Sequence, residues 1–283
     1  MVAALLLKRA ADLGADIWRT TRACNLASAL LFAPLALLGG TIPSWGLLWQ
    51  PAVVGLLFVT GQVLTLLALK VGDVSVATPV MGVKIVLVAA LVALLVGDPI
   101  SANIWVAALL SSVAIALLNF TRGHAHQRLG ATIVLAVTGA GSFALFDVLV
   151  QKWSPAWGAG RFLPVMMVFV AAISPTLRPW RRSGRMGANT SGPSPARGWV
   201  MAGACCMALQ AIMIVSSIAV YGQAAVANVL YSSRGLWSVV AVWAVGHWFT
   251  NREQGHGRRV LGWRLAGAGL LLVAIVLVVW KPA

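Results

Sequence analysis

The sequence carries little charge for its length. Only 10% of its 283 residues are charged, whereas 60% are hydrophobic and the mean hydropathy is +0.90. Water-soluble domains are about a quarter charged and just under half apolar. A soluble protein could not keep this much apolar surface away from water, so the composition predicts a protein embedded in lipid.

Acidic residues are the scarcer charged type: six Asp and Glu stand against 21 Lys and Arg, which gives a formal net charge of +15. In a soluble chain this excess would suggest a nucleic-acid partner. In a membrane protein it follows from the collection of Lys and Arg in cytoplasmic loops. We therefore expect membrane lipids, and no nucleic acid, as partners.

Several chemical signatures are also missing. The three cysteines, Cys24, Cys205 and Cys206, suggest no disulfide framework. His124 and His126 lie in a basic loop without further metal ligands. The sequence shows no nucleophile paired with a base and no phosphate-cradling glycine loop, and the N-terminal run MVAALLL is too short for the core of a signal peptide. These absences argue against an enzyme, a metal and a cofactor.

What the sequence does contain is a series of apolar segments long enough to cross a bilayer. Backbone groups in lipid must be hydrogen-bonded within their own segment, so each segment is predicted to be an α-helix. The segment 178–197, basic and then rich in Gly, Ser and Pro, is predicted to be a solvated loop. The nine predicted spans are 23–39, 46–69, 74–96, 102–120, 130–151, 162–177, 198–221, 224–248 and 260–280.

The chain also contains an internal repeat. KVGDVSVATPVMGVKIVL (70–87) aligns without a gap with VYGQAAVANVLYSSRGLW (220–237), which places Lys84 on Arg234. Each of two similar halves would hold five helices, an odd number, so the second half would be inverted in the membrane. Inverted repeats with a site at their interface are a common transporter plan. The predicted halves cover 1–120 and 130–283 and are joined by 121–129.

This ten-helix plan is one helix short at the N-terminus. The counterpart of 130–151 would be a first helix ending at Lys8, where only seven residues remain. We expect a first helix that is truncated or absent, and the sequence leaves open whether Met1 is the natural start.

Four features together resemble the drug/metabolite transporter superfamily, specifically its EamA-type members. They are the two-half plan, the GDVSVATPV entry to one helix, LVGDPIS at its exit and the following WVAALLSSVAIALL. At that exit the family usually has a Gly-Glu pair, and Asp98 replaces the Glu here. The resemblance covers nearly the whole chain after residue 8. It implies a ten-helix carrier of the bacterial inner membrane that moves a small metabolite by alternating access.

The distribution of basic residues predicts the orientation. Of the 21 Lys and Arg, 16 fall on one side of the predicted spans and three on the other, while Lys84 and Arg234 lie inside spans. The positive-inside rule places the richer side in the cytoplasm and the C-terminus outside. Members of the resembled family commonly keep the C-terminus in the cytoplasm, so the charge count and the resemblance disagree.

Lys84 and Arg234 are the main candidate site residues. A charge at the centre of a spanning helix costs roughly 2.5–3.5 kcal/mol on insertion scales, and neither helix contains a carboxylate. If both cations line one cavity between the halves, they repel each other unless an anion lies between them. The other expected substrate-binding side chains are an aromatic wall and two amides: Tyr231, Trp237, Gln62 and Gln210.

Asp147 offers other interpretations. It is the one acidic residue well inside a span, and it could neutralise one of the two cations but not both. Such a pair would lock helices together or act as a gate, while a long basic side chain could instead snorkel to the interface. A desolvated carboxyl could also couple transport to protons.

These observations predict a secondary-active transporter, an exporter or exchanger, for a small anionic or zwitterionic metabolite. The protein would be a monomer or a homodimer. Two alternatives remain: translocation of a lipid-linked phosphate amphiphile, which a lateral opening between helices would favour, and a non-transporting membrane scaffold.

Overall fold

A computed structural model of the protein describes residues 2–71, 77, 80–118, 129–177, 196–234, 237 and 258–280. Within these ranges the chain is helical and contains no strand. Most of the predicted joining segment, with His124 and His126, and most of the predicted solvated loop lie outside the described residues.

Several of the described helices are joined by only a few residues. In chain order they are α1 Val2–Asp12, α2 Ile17–Phe32, α3 Trp49–Val71, α4 Lys84–Leu91, α5 Ala102–Leu118, α6 Leu129–Trp157, α7 Ala159–Ile173, α8 Ala196–Tyr221, α9 Ala224–Ser232 and α10 Arg258–Val279. Short 3-10 turns follow α2 and α7 and precede α3, and a π-helical turn follows α4: Ala33–Leu38, Ser174–Thr176, Trp45–Leu47 and Val92–Val96.

The all-helical class predicted from the sequence is confirmed for the described residues. Five helical stretches are long and apolar enough to cross a membrane, which is consistent with a membrane protein: Ile17–Leu38, Trp45–Leu69, Leu129–Trp157, Ala159–Thr176 and Ala196–Tyr221. Three shorter apolar helices fall within other predicted spans, at Lys84–Val96, Ala102–Leu118 and Leu265–Val279. The finer plan of ten helices in two inverted halves stays a prediction.

The first of two compact units consists of Met1–Val59 and Trp153–Val220. In it α2 packs against α7 and against the 3-10 turn that follows α2. A buried hydrogen bond of 2.9 Å, from Asn25 Nδ2 to Ser174 Oγ, joins α2 to the end of α7.

The second unit consists of Thr60–Lys152 and Tyr221–Ala283. Here α10 packs along α5, and α5 also contacts α4 and α9. Ala114, Leu118 and Leu271 form a buried apolar cluster between α5 and α10. Each unit contains segments from both predicted halves, and the second unit contains both Lys84 and Arg234.

Candidate functional site

A break in the predicted span 74–96 positions Lys84. The chain turns at Gly82 and Val83, and α4 begins at Lys84, so the expected continuous helix is interrupted here. Glycine is a poor helix former, and the Gly82 carbonyl accepts a hydrogen bond of 2.9 Å from Ser112 Oγ on α5. Pro79, which the sequence predicts to kink this helix, lies outside the described residues.

A similar break interrupts the predicted span 224–248 before Arg234. α9 ends just before a turn at Ser233, and Arg234 follows that turn. Ser233 N donates to Leu230 O at 3.1 Å, as Val83 N donates to Val80 O at 3.1 Å before Lys84. The two cations that the repeat aligns therefore follow turns closed by the same backbone hydrogen bond.

Serine side chains stabilise the second break. Ser232 Oγ donates to the Val229 carbonyl at 2.6 Å, the kind of local bond by which serine competes with continued helix. The same oxygen lies 3.5 Å from Ser111 Oγ on α5. Adjacent serines of α5, Ser111 and Ser112, thus contact both breaks.

Lys84 forms an ion pair with Asp147. Nζ of Lys84 lies 2.7 Å from Oδ2 of Asp147, and the two side chains are 23% and 4% exposed. The first residue of α4 is at the positive end of the helix dipole, which disfavours a cation, and the carboxylate offsets that effect. Of the two cations that Asp147 could neutralise, the structure pairs it with Lys84.

Asn228 completes this buried pair. Its Nδ2 donates to Oδ2 of Asp147 at 2.7 Å and to the Ala224 carbonyl at 2.9 Å. A buried carboxylate is tolerated when it is both paired and hydrogen-bonded. We call Lys84, Asp147 and Asn228 the buried triad.

An aromatic ring also contacts the triad. Lys84 Nζ lies 5.8 Å from the centroid of the Phe143 ring, within the range of a cation–π interaction. A Cβ on Gly61 of α3 would lie 3.0 Å from three atoms of this ring, so α3 approaches the ring closely at that glycine.

A stripe of side chains on α6 extends the triad toward the end of the helix. Phe143, Asp147 and Gln151 are spaced four apart and share one face. Gln151 is buried; its Oε1 accepts from Ala224 N at 2.9 Å and its Nε2 donates to Asp98 Oδ2 at 3.0 Å. Four residues of helix rise about 6 Å, so the bonds of Gln151 lie about one turn from the ion pair.

A cavity of about 600 Å³ adjoins Gln151 in the second unit. Its volume lies within the roughly 300–1,000 Å³ of small-molecule sites. The polar side chains that line it are Asp98, Ser101, Asn103, Gln151 and Gln223. Apolar and aromatic side chains line the rest, including Ile104, Leu277, Tyr221 and Trp280.

Arg234 has different surroundings from Lys84. Its side chain is exposed, its NH1 donates to Tyr231 OH at 2.8 Å, and its guanidinium carbon lies 4.5 Å from the Tyr231 ring centroid. The spacing of three residues predicts this contact. Trp237 is 61% exposed. Among the described residues, Arg234 has no carboxylate partner within 4.0 Å.

The two amides predicted from the repeat fall in different units. Gln62 belongs to the second unit and Gln210 to the first. Oε1 of Gln62 is buried and has no hydrogen-bond partner among the described residues. A shared role of Gln62 and Gln210 in one site stays a prediction.

Three residues of the site, Asn228, Gln151 and Asp98, were not predicted from the sequence. Two signals were available. Asn228 is a polar side chain inside a predicted span, which marks a functional candidate. Gln151 follows Asp147 by four residues, which places both on one face of a helix.

Comparison with known proteins bears on the fold alone. No family model matches the chain, and no curated protein sequence matches it. A protein known from its crystal structure has a similar fold, with a TM-score of 0.64, 15% sequence identity, and coverage of 98% of this chain and 93% of that one.

Proposed function

We propose that the protein is a secondary-active membrane transporter that exports or exchanges a small anionic or zwitterionic metabolite by alternating access. The observation that carries this proposal is the buried triad, which lies beside a broken helix and about one helical turn from a cavity. Transporters commonly build their substrate sites from discontinuous helices near the membrane midplane.

In this proposal the substrate exchanges with one partner of the ion pair. An anionic group would replace the Asp147 carboxylate at Lys84, and the ammonium of a zwitterion would then meet Asp147. A neutral solute can replace neither partner. Leaving one charge of a buried pair uncompensated costs about 3–5 kcal/mol, and that cost favours charged substrates.

Arg234 supplies the second positive charge of the proposed substrate path, with Tyr231 and Trp237 as its aromatic wall. The exposed guanidinium can bind a carboxylate or phosphate through two hydrogen bonds. The matching turns before Lys84 and Arg234 support equivalent roles for the two predicted halves. We place the protein in a bacterial inner membrane with its basic loops in the cytoplasm.

Exchange in proteoliposomes tests the proposal. Radiolabelled alanine and succinate serve as zwitterionic and anionic probes, and glycerol serves as the neutral probe. We expect exchange of a charged probe, no exchange of glycerol, and loss of exchange in the double variant Lys84→Met/Asp147→Leu. Exchange of neither charged probe, or an unchanged rate in the folded double variant, contradicts the proposal.

A cavity in the first unit favours the lipid-linked phosphate alternative. This cavity of about 450 Å³ is lined by Arg19, Arg22, Leu26 and Ser174, among others. Two arginines beside an apolar side chain suit a phosphate head group on a lipid. Flipping of fluorescent phosphatidic acid across the proteoliposome bilayer, lost in Arg19→Gln/Arg22→Gln, would support it. A non-transporting scaffold would not require the cavity of about 600 Å³ in the second unit, so that cavity argues against the scaffold alternative.

A further inference from the structure

The cavity of the second unit is formed where helices end. Gly97, with φ +83°, closes the π-helical turn after α4 and precedes Asp98 in the cavity wall. Tyr221 is the last residue of α8, and Trp280 directly follows α10. Asp98, Ser101 and Asn103 are exposed in the cavity wall, so a dissolved solute can reach this cavity.

Asp98 holds a fixed negative charge at the cavity. Gln151, only 5% exposed, uses its oxygen on the backbone N–H of Ala224 and therefore presents its NH₂ group to Asp98 Oδ2. The carboxylate is positioned by a buried neutral amide, while Lys152 donates to the Leu95 carbonyl at 2.7 Å.

No cation of the described chain neutralises this carboxylate. The described residues that line the cavity include neither Lys nor Arg, although the chain as a whole carries a net charge of +15. Asp98 makes no ion pair within 4.0 Å with any described residue. Asp98 is therefore the one charged side chain among the described residues that line the cavity.

We infer that this cavity binds the ammonium group of a small amine-bearing solute, with Asp98 as its charged partner. Ser101, Asn103 and Gln223 provide further oxygen atoms for the remaining N–H groups. The rings of Tyr221 and Trp280 add surfaces that attract a cation. A metal ion such as Ca²⁺ takes six to eight oxygen ligands, which a roomy cavity with one carboxylate suits less well than an organic ammonium.

The site narrows the substrate class of the proposed transporter. If the proposed function holds, on which this step rests, the substrate carries an ammonium group as well as an anionic group and is a zwitterion. The ammonium would be held first at Asp98, which Gln151 links to the face of α6 that carries Asp147, and would meet Asp147 when the substrate reaches the ion pair.

Binding to the purified full chain in detergent tests the inference without transport. Calorimetric titration uses three probes of equal chain length: n-butylamine, butan-1-ol and butyrate. We expect butylamine to bind and butan-1-ol not to bind, and any binding of butyrate at the proposed cations to be unchanged in Asp98→Asn. The affinity for butylamine should fall about tenfold or more in Asp98→Asn, because a charge-assisted interaction is removed. Asp12→Asn, which removes an exposed acidic charge in the first unit, should bind butylamine like the parent.

A cavity-filling variant shows whether binding is lost because the site changes or because Asp98→Asn fails to fold. Ser101→Phe keeps the carboxylate but occupies the cavity, and it should also abolish butylamine binding. Equal affinity for butan-1-ol, or unchanged butylamine binding in Asp98→Asn or Ser101→Phe, overturns the inference. Butylamine binding without exchange of alanine or succinate would contradict the transport proposal but support the ammonium site. Exchange without butylamine binding would support the transport proposal but contradict the ammonium site.

Discussion

Lys84 and Arg234 occupy the same backbone position, each one residue after a turn that breaks a helix. The bonds that follow the two turns also correspond: Leu87 N to Val83 O at 3.0 Å, and Trp237 N to Ser233 O at 3.1 Å. Their side chains differ, because Lys84 pairs with Asp147 in the interior while Arg234 is exposed and reaches Tyr231. We therefore expect that breaking the Lys84–Asp147 pair lowers stability, whereas replacing Arg234 impairs function with little effect on stability.

Removing one partner of the ion pair should destabilise the protein. Asp147→Leu leaves Lys84 charged and unpaired, and we expect a loss of about 3 kcal/mol in the free energy of unfolding. Replacing both partners in Lys84→Met/Asp147→Leu should recover most of that loss, since apolar side chains of similar size can substitute for a buried pair. Denaturant unfolding in detergent measures both. A double variant no more stable than Asp147→Leu would contradict this expectation.

Arg234 should matter for function rather than for stability. Because its side chain is exposed, Arg234→Ala should change the free energy of unfolding by no more than about 0.5 kcal/mol. The same change should abolish exchange of the charged probe if the guanidinium binds its anionic group. Arg234→Lys keeps the charge without the two-pronged geometry and should restore exchange in part. A strongly destabilised Arg234→Ala protein would instead assign the residue a structural role.

Asn228 should stabilise the folded protein through its hydrogen bond to the Asp147 carboxylate. Asn228→Leu keeps the volume but removes the donor to Asp147, and we expect a loss of about 1.5–3 kcal/mol, the range for hydrogen bonds to charged groups. Ser217→Ala is the control, because among the described residues that exposed hydroxyl bonds its own helix, at the Met213 carbonyl. Comparison of the two unfolding curves measures the effect, and equal stability of both variants would contradict a role for Asn228 in holding the pair.

Hydropathy alone predicted where most helices lie, since residues such as Val54 and Val88 are apolar whatever their partners. It did not predict the breaks at Gly82 and Ser233, because average hydropathy carries no information on backbone continuity. Charge inside a span singled out Lys84 and Asp147, which the structure brings together as an ion pair. Which cation Asp147 would pair with depends on the packing of α4 and α6, which are distant in sequence, so the sequence left that choice open.

Two glycines of α10 provide a matched test of helix packing in the second unit. A Cβ on Gly267 would lie 2.9 Å from the Ala114 carbonyl oxygen and 3.0 Å from Leu118 Cγ, whereas a Cβ on Gly269 would meet nothing within 4 Å. Gly267→Ala should therefore force α5 and α10 apart, with a loss of about 1–3 kcal/mol.

Gly269→Ala should instead raise the free energy of unfolding. Alanine favours the helix over glycine by up to about 1 kcal/mol, and its methyl group meets no neighbouring atom here. Both variants add one methyl group to the same helix, two residues apart, so composition and hydrophobicity cancel in the comparison. Thermal unfolding of the two variants beside the parent measures the difference. Equal changes in the melting temperature of the two variants would mean that α10 does not approach Ala114 as closely as the structure indicates.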